Sequence, residues 1–263
     1  MRRLNVIGIG AGDLEYLTVQ AIKALTQTDV FFFTDKGDAK SDLLHLRNEI
    51  CERYADTSRY RIVEMQDPVR HGSPPDYGEA VRKWHEQRVA LWETTVESEL
   101  DDEQVGAFLV WGDPAFYDST LRILEGVRSR GAFEFEVDVI PGISAIAALA
   151  ARHGIPLTGI GRSLTITTGR QLRHGWPAGA TDVVVMLDAH CSFLDLDESL
   201  VIYWGAFLGT DDEILISGTI GECGATIADV RAAARTRKGW MFDTYLLRRQ
   251  EHEGQHHEGQ TDS

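Results

Sequence analysis

The sequence predicts an α/β protein built from two α/β domains, and three observations carry that prediction. Short apolar runs bounded by turn residues recur at 4–9, 30–33, 61–65, 105–111 and 135–140, with helical patterns between most of them. That alternation implies a mostly parallel, covered sheet. The first run passes directly into Gly8-Ile9-Gly10-Ala11-Gly12-Asp13, and a strand that ends in glycines before a helix is how α/β proteins bring backbone close to a nucleotide. Beyond Ile140-Pro141-Gly142 the pattern changes, and several strand candidates adjoin without a helix between them. Such neighbours pair antiparallel.

Each element has its own signal. Residues 18–26 carry Val19, Ile22 and Leu25 on one face of a helix. Ser41 precedes a helical stretch over 42–52 with Leu43, Leu44, Leu46 and Ile50. Asp76-Tyr77-Gly78-Glu79 reads as a capping box, opening a long helix to about Leu100 with Val81, Trp84, Trp92, Val96 and Leu100 along its apolar side. A helix over 119–130 is closed by Gly131. In the second half, strands are expected at 163–168, 182–187, 200–206, 213–218 and 241–248. The domain boundary is placed at the change of pattern. An N-terminal domain then spans 1–142, a C-terminal domain with a mixed sheet spans 143–250, and 251–263 is a polar tail expected to be disordered. Its histidines, His252, His256 and His257, read as solvated side chains, and no metal site is expected.

Composition narrows the function. The formal net charge is −15, whereas a protein that binds a phosphate backbone shows a basic excess; nucleic acid is not the expected ligand. No apolar run approaches the roughly 18 residues that a membrane span needs. Met1-Arg2-Arg3 leads into a strand, without the apolar stretch of a signal peptide, so the cytoplasm is the expected location. Cys51, Cys191 and Cys223 are far apart with no C-x-x-C, as expected for inert thiols in a reducing compartment.

Three further segments share the architecture of the first loop. Val105 to Trp111 ends in Gly112-Asp113-Pro114, 137–140 ends in Pro141-Gly142-Ile143-Ser144-Ala145, and 183–186 ends in Leu187-Asp188-Ala189-His190. In an open α/β sheet, ligands bind outside the carboxyl ends of strands, so these loops are expected to converge on one crevice. Each alone reads as an ordinary turn or helix start. A dinucleotide enzyme is one alternative, because Asp35 stands at the end of strand two where a ribose-binding acid would be. The G-x-G-x-x-G fingerprint, however, needs glycine at position 13, and Asp13 there opposes a pyrophosphate.

The first loop with Leu17-Thr18, Gly112-Asp113-Pro114 with Tyr117, Pro141-Gly142-Ile143-Ser144-Ala145 and Gly154-Ile155-Pro156-Leu157-Thr158 together resemble the tetrapyrrole methylase family, over nearly the whole chain. The resemblance implies two α/β domains with S-adenosyl-L-methionine in the cleft between them, and a homodimer. Asp35-Lys36-Gly37, Tyr117 to Leu124, Ile202 to Ala206 and Lys238 to Arg249 are similar to those members that methylate precorrin-5 at C1 with release of acetate. Ala11 departs from the proline, and Trp111 from the glycine, that many members carry at these positions.

By that resemblance the cofactor-binding set is Ala11, Trp111, Gly112, Asp113, Phe116, Ser144, Ala145, Met186 and Ala206. Asp113 would accept from the cofactor's donors or cap its own turn. Ser144 would donate to the ligand or N-cap its helix. Phe116 and Met186 would pack on the cofactor or in the core, and Ala206 would face the adenine. Gly10 and Gly12 would offer backbone N–H groups on the tetrapyrrole side. Arg170 and Arg173 are the expected grips for substrate carboxylates. Asp35 is the candidate general base for deacetylation with Lys36 beside it, although Thr34-Asp35-Lys36-Gly37 also has turn composition.

Overall fold

In the computed structural model, residues 1–35, 41–68 and 77–249 are described. The chain divides into two compact units. The first holds Met1–Ala148 and takes back two later segments, Phe207–Glu213 and Arg235–Trp240; the second holds the remainder. The division is therefore not contiguous, and its first break falls beyond residue 142, inside a helix.

The first unit is a parallel sheet of β1 (Arg2–Gly8), β2 (Val30–Asp35), β3 (Arg61–Gln66), β4 (Val105–Val110) and β5 (Phe135–Ile140), in the order β3-β2-β4-β1-β5. Its helices are α1 (Val19–Thr26), α2 (Ser41–Tyr54), α3 (Tyr77–Glu99) and α4 (Thr120–Arg130). Both faces of the sheet are covered, which is why the strands read as unbroken apolar runs. One face packs Leu4, Val6, Phe32 and Phe108 with Trp92, Val96, Ile123 and Leu124. The other packs Ile7, Phe31, Phe33 and Leu109 with Ala21, Leu25, Ile50 and Cys51. Side chains alternate across a strand, so Phe31 and Phe33 belong to one core and Phe32 to the other. The Trp92 ring lies parallel to Phe108, with centroids 4.2 Å apart.

Helix boundaries follow local chemistry. Thr18 caps α1, its hydroxyl accepting from the Ala21 amide at 3.0 Å. Val19, expected on the apolar face, is instead exposed in the first turn, and Ala21 with Leu25 forms the buried side. Gly131 ends α4 at φ 70°, where a side chain would be strained. Asp118 Oδ1 rather than Ser119 serves the start of α4, accepting from the Thr120 amide at 2.6 Å. Asp76 of the expected capping box lies outside the described residues.

The second unit is a mixed sheet of β6 (Leu164–Thr168), β7 (Asp182–Met186), β8 (Val201–Ala206), β9 (Ile214–Thr219) and β10 (Asp243–Arg248), in the order β6-β7-β10-β8-β9. Only β6 and β7 pair parallel; the other pairings are antiparallel. Helix α5 (Ala145–His153) leads into this unit, and α6 (Gly169–Leu172) follows β6. Helix α7 (Ile220–Lys238) has no counterpart in the sequence reading. Its buried positions include Cys223, Gly224, Arg231 and Ala234, so small and charged residues interrupt the apolar period that would reveal a helix.

Candidate active site

In the first unit, the loops after β1, β4 and β5 are locked together by glycines. A Cβ on Gly142 would lie 2.1 Å from the Gly112 carbonyl oxygen, and one on Gly8 would lie 2.5 Å from the Gly142 nitrogen. Gly10 and Gly112 form an isolated bridge in which the Gly112 amide donates to Gly10 O at 2.7 Å and the Gly10 amide to Gly112 O at 3.2 Å. Asp113 ties the set to β5. Its Oδ2 accepts from the Gly142 amide at 3.0 Å and its Oδ1 from the Ala115 amide at 2.8 Å. Ser144 caps α5, Oγ accepting from the Ala147 amide at 3.2 Å. The loops thus share one rigid backbone cluster, with Ala145 opening the helix beside it.

The glycine loop itself is filled by protein. A Cβ on Gly10 would meet Tyr16 Cβ at 2.5 Å, and one on Gly12 would meet the Leu208 carbonyl oxygen at 2.6 Å. Asp13 caps a 3-10 turn, Leu14–Tyr16, accepting from the Glu15 amide at 2.8 Å, and α1 begins only at Val19. No helix N-terminus follows the loop directly, so the pyrophosphate cradle of a dinucleotide enzyme is not built. The expectation that Gly10 offers its amide outward is also corrected, because that amide is spent on Gly112. Ala11 is 1% exposed and shapes the loop from within instead of presenting a ligand surface.

Beside this loop the first unit has an open pocket of about 540 Å³, within the range of small-molecule sites. Gly12 to Glu15 form one wall and Trp111, just past β4, another. His45, Leu46, Glu49 and Arg53, spaced to share a face of α2, form a third; Phe207, Gly209–Asp212, Lys238 and Trp240 complete it. The returning segments are braced internally. Phe207 meets Trp240 edge-on, with centroids 5.0 Å apart. Asp212 receives Arg237 Nη2 at 2.9 Å and is also paired with Lys238. The hydrogen bond from Lys238 holds the Asp212 carboxyl below the usual range.

The predicted site residues divide unevenly over these features. Gly12 and Trp111 line the cavity. Gly112, Asp113, Ser144 and Ala145 belong to the loop cluster, and half-buried Phe116 follows it, its amide donating to Asp113 O at 3.1 Å. Asp35 closes β2 opposite Gln66; its side chain and Lys36 lie outside the described residues. In the second unit, half-buried Met186 ends β7. Ala206 is fully buried in β8 between Asp243 and Ile214 and so has no surface for an adenine. Arg170 and Arg173 are exposed and do not line the cavity, whose cations are Arg53 and Lys238. The α2 face and the 207–212 segment were missed as site elements; only the Gly209-Thr210-Asp211 turn composition hinted at the latter.

The family model for tetrapyrrole (corrin/porphyrin) methylases matches residues 3–224. The chain belongs to the tetrapyrrole methylase family. A Sinorhizobium protein named precorrin-6A synthase [deacetylating] is 47% identical over 250 residues, covering 95% of this chain and 96% of the relative. The crystal structure of a cobalamin synthesis related protein (CobF) from Corynebacterium diphtheriae superposes with a TM-score of 0.82 at 41% identity, covering 94% of this chain and 98% of that one. The fold is also similar to that of a Thermus thermophilus uroporphyrin-III C-methyl transferase solved with S-adenyl homocysteine, with a TM-score of 0.61, 17% identity and 94% and 92% of the two chains covered.

Proposed function

We propose that the chain is an S-adenosyl-L-methionine-dependent C-methyltransferase that converts precorrin-5 to precorrin-6A in cobalamin biosynthesis, methylating C1 and releasing acetate. The similarity to the Sinorhizobium precorrin-6A synthase along nearly the full length of both chains carries this reading. We further read it as a cytoplasmic homodimer that binds no nucleic acid. The net charge of −15 supports the last point, and no helix among the described residues is long and apolar enough to cross a membrane.

The loop cluster suits the cofactor. Gly112 has φ +69°, and a Cβ placed on it would find nothing nearer than the Ala145 nitrogen at 3.8 Å. Gly112 is itself buried; what supports the reading is that its loop stands beside the first turn of α5, where amide donors concentrate. Gly112, Asp113, Phe116, Ser144 and Ala145 of the first unit would hold the cofactor. When bound, S-adenosyl-L-methionine supplies the electrophilic methyl group that C1 receives.

The protein's own contribution is alignment and water activation. Well-oriented reactants gain roughly 7–11 kcal/mol over free ones, and the glycine-locked loops give the rigidity that requires. In the deacetylation, Asp35 takes a proton from water, the hydroxide oxygen bonds to the acetyl carbonyl carbon, and Lys36 steadies the resulting oxyanion. The bond from that carbon to C1 then breaks, acetate leaves, and the electron pair stays with C1. Incubation with precorrin-5 and S-adenosyl-L-methionine tests the whole reading: S-adenosylhomocysteine and acetate should form in equal amounts. Methyl transfer without acetate would replace this activity with that of another tetrapyrrole methylase.

A further inference from the structure

Arg47 stands where the packing of α2 calls for an apolar residue. The helix lays Leu44, Ile50, Cys51 and Tyr54 against the sheet of the first unit, and the helical period puts Arg47 in the middle of that same face. It is half-buried, and no hydrogen bond or ion pair from the described residues reaches its guanidinium. Other arginines drawn into the protein are treated differently. Arg88 Nε donates to Asp67 at 2.6 Å and Nη1 to Ser119 Oγ at 2.9 Å. Arg231 Nε donates to Asp243 at 2.9 Å and Nη2 to the Asp188 carbonyl at 2.6 Å. A guanidinium withdrawn from water without partners is destabilising, and it does not escape by losing its proton. Cys51, one turn on, gives no counter-charge, because burial pushes its thiol up to about 12. Burial pushes Arg47 down from its ordinary value, and Asp118, beyond ion-pair distance, offsets only part of that.

The place of this cation in the sheet matters. Helices α1 and α2 cover one face of the first unit's sheet, and α3 and α4 cover the other. Neighbouring β2 and β4 therefore lead to helices on opposite faces, which makes the point between them a topological switch. They pair only at Val30–Gly106 and Phe31–Ala107, at their amino-terminal ends. Open α/β sheets bind ligands in the crevice outside the carboxyl ends at such a point. Helical side chains tilt toward the helix N-terminus; α2 starts beyond the carboxyl end of β2, so Arg47 tilts toward that crevice. Asp118, which attracts it, stands at the start of α4 after β4 and is already engaged with the Thr120 amide. All of these residues belong to the first unit.

We propose that Arg47 binds a carboxylate in the crevice between β2 and β4. The guanidinium fork matches the two oxygens of a carboxylate, and an anion there supplies the partner that the fold leaves out. The source of that group rests on the methyltransferase reading: it is a carboxylate side chain of the tetrapyrrole or the acetate that the reaction releases. Asp35, the proposed base, closes β2 at the same crevice.

Arg47→Met in the full chain tests this, because an unbranched thioether fills similar space on the buried face without charge. Its melting temperature should equal or exceed that of wild type, since an unpaired charge gives way to an apolar group. Sodium acetate should raise the wild-type melting temperature above a sodium chloride control of equal ionic strength, and should not do so for Arg47→Met. Turnover separates the two sources. A carboxylate side chain of precorrin-5 predicts a KM about tenfold higher in Arg47→Met with kcat held, whereas released acetate predicts a kcat about tenfold lower with KM held. Arg47→Lys keeps the charge but loses the fork and should show most of the same loss. Affinity for S-adenosylhomocysteine should stay at the wild-type value in both variants. An Arg47→Met protein that melts well below wild type makes the arginine structural and overturns the proposal. So does an Arg47→Met protein whose acetate response, KM and kcat all match wild type. A wild-type chain inert toward precorrin-5 overturns the methyltransferase reading; the acetate comparison then decides alone, and equal responses in wild type and Arg47→Met overturn the carboxylate site.

Discussion

Removing the Asp113 carboxylate should separate its two possible duties, to the loop and to the cofactor. Asp113→Ala deletes two charge-assisted hydrogen bonds, one from the Gly142 amide and one from the Ala115 amide. Bonds to charged groups contribute about 1.5–3 kcal/mol each when the donor is left without water. Gly142 is half-buried, so its bond falls in that range; Ala115 is exposed and its bond resembles a cap of about 1 kcal/mol. The loss should total about 2.5–4 kcal/mol, or a melting temperature lower by about 5–15 °C. Asp113→Asn keeps one acceptor oxygen and should lose about half as much. Urea titration followed by tryptophan fluorescence reads the stability, and calorimetry with S-adenosylhomocysteine reads the binding. An Asp113→Ala protein within about 1 kcal/mol of wild type would refute the structural assignment. An Asp113→Asn protein of normal stability that no longer binds would move the carboxylate's duty to the ligand.

Acid should weaken the second unit through Asp188. Burial alone would raise its carboxyl, but hydrogen bonds from Tyr245, His190 and Ser192 outweigh burial and hold it below the ordinary range. A carboxyl depressed on folding contributes stability above its unfolded pKa, near 3.9, and loses it as pH falls through the folded value; Asp188→Ala should remove this contribution, and unfolding midpoints between about pH 5 and 2 that fall equally in both proteins would contradict it. Cys51 is fully buried and burial pushes its thiol up to about 12, so a thiol reagent followed by peptide mass mapping should label it only after denaturation. Rapid native labelling at pH 8 would show that this core opens.

Much of the first unit was legible because its strands are buried on both faces and its helices keep an apolar period. Phe31 to Phe33 and Val105 to Val110 announce themselves as strands, and Gly131 marks a helix end by its backbone freedom alone. Helix α7 was not legible, since Arg231 occupies a core position that partners far along the chain make tolerable, the Asp243 carboxylate and the carbonyls of Asp188 and Ala189. The catalytic expectations on Asp35 and Lys36 fall on side chains outside the described residues, and they stand as proposals.

By itself the sequence determined the strands, the helices of the first unit, the family, and which loops follow strand ends, because these depend on local period and motif. Tertiary structure alone decided what those loops do. Gly8 and Gly142 are required by each other's backbone and by the Gly112 carbonyl, a closeness that no spacing along the chain reveals. Likewise, the cavity draws Trp111 together with α2, Phe207 and Lys238, residues far apart in the chain. Their meeting depends on where the chain returns to the first unit, which is set by packing of the whole and not by any segment.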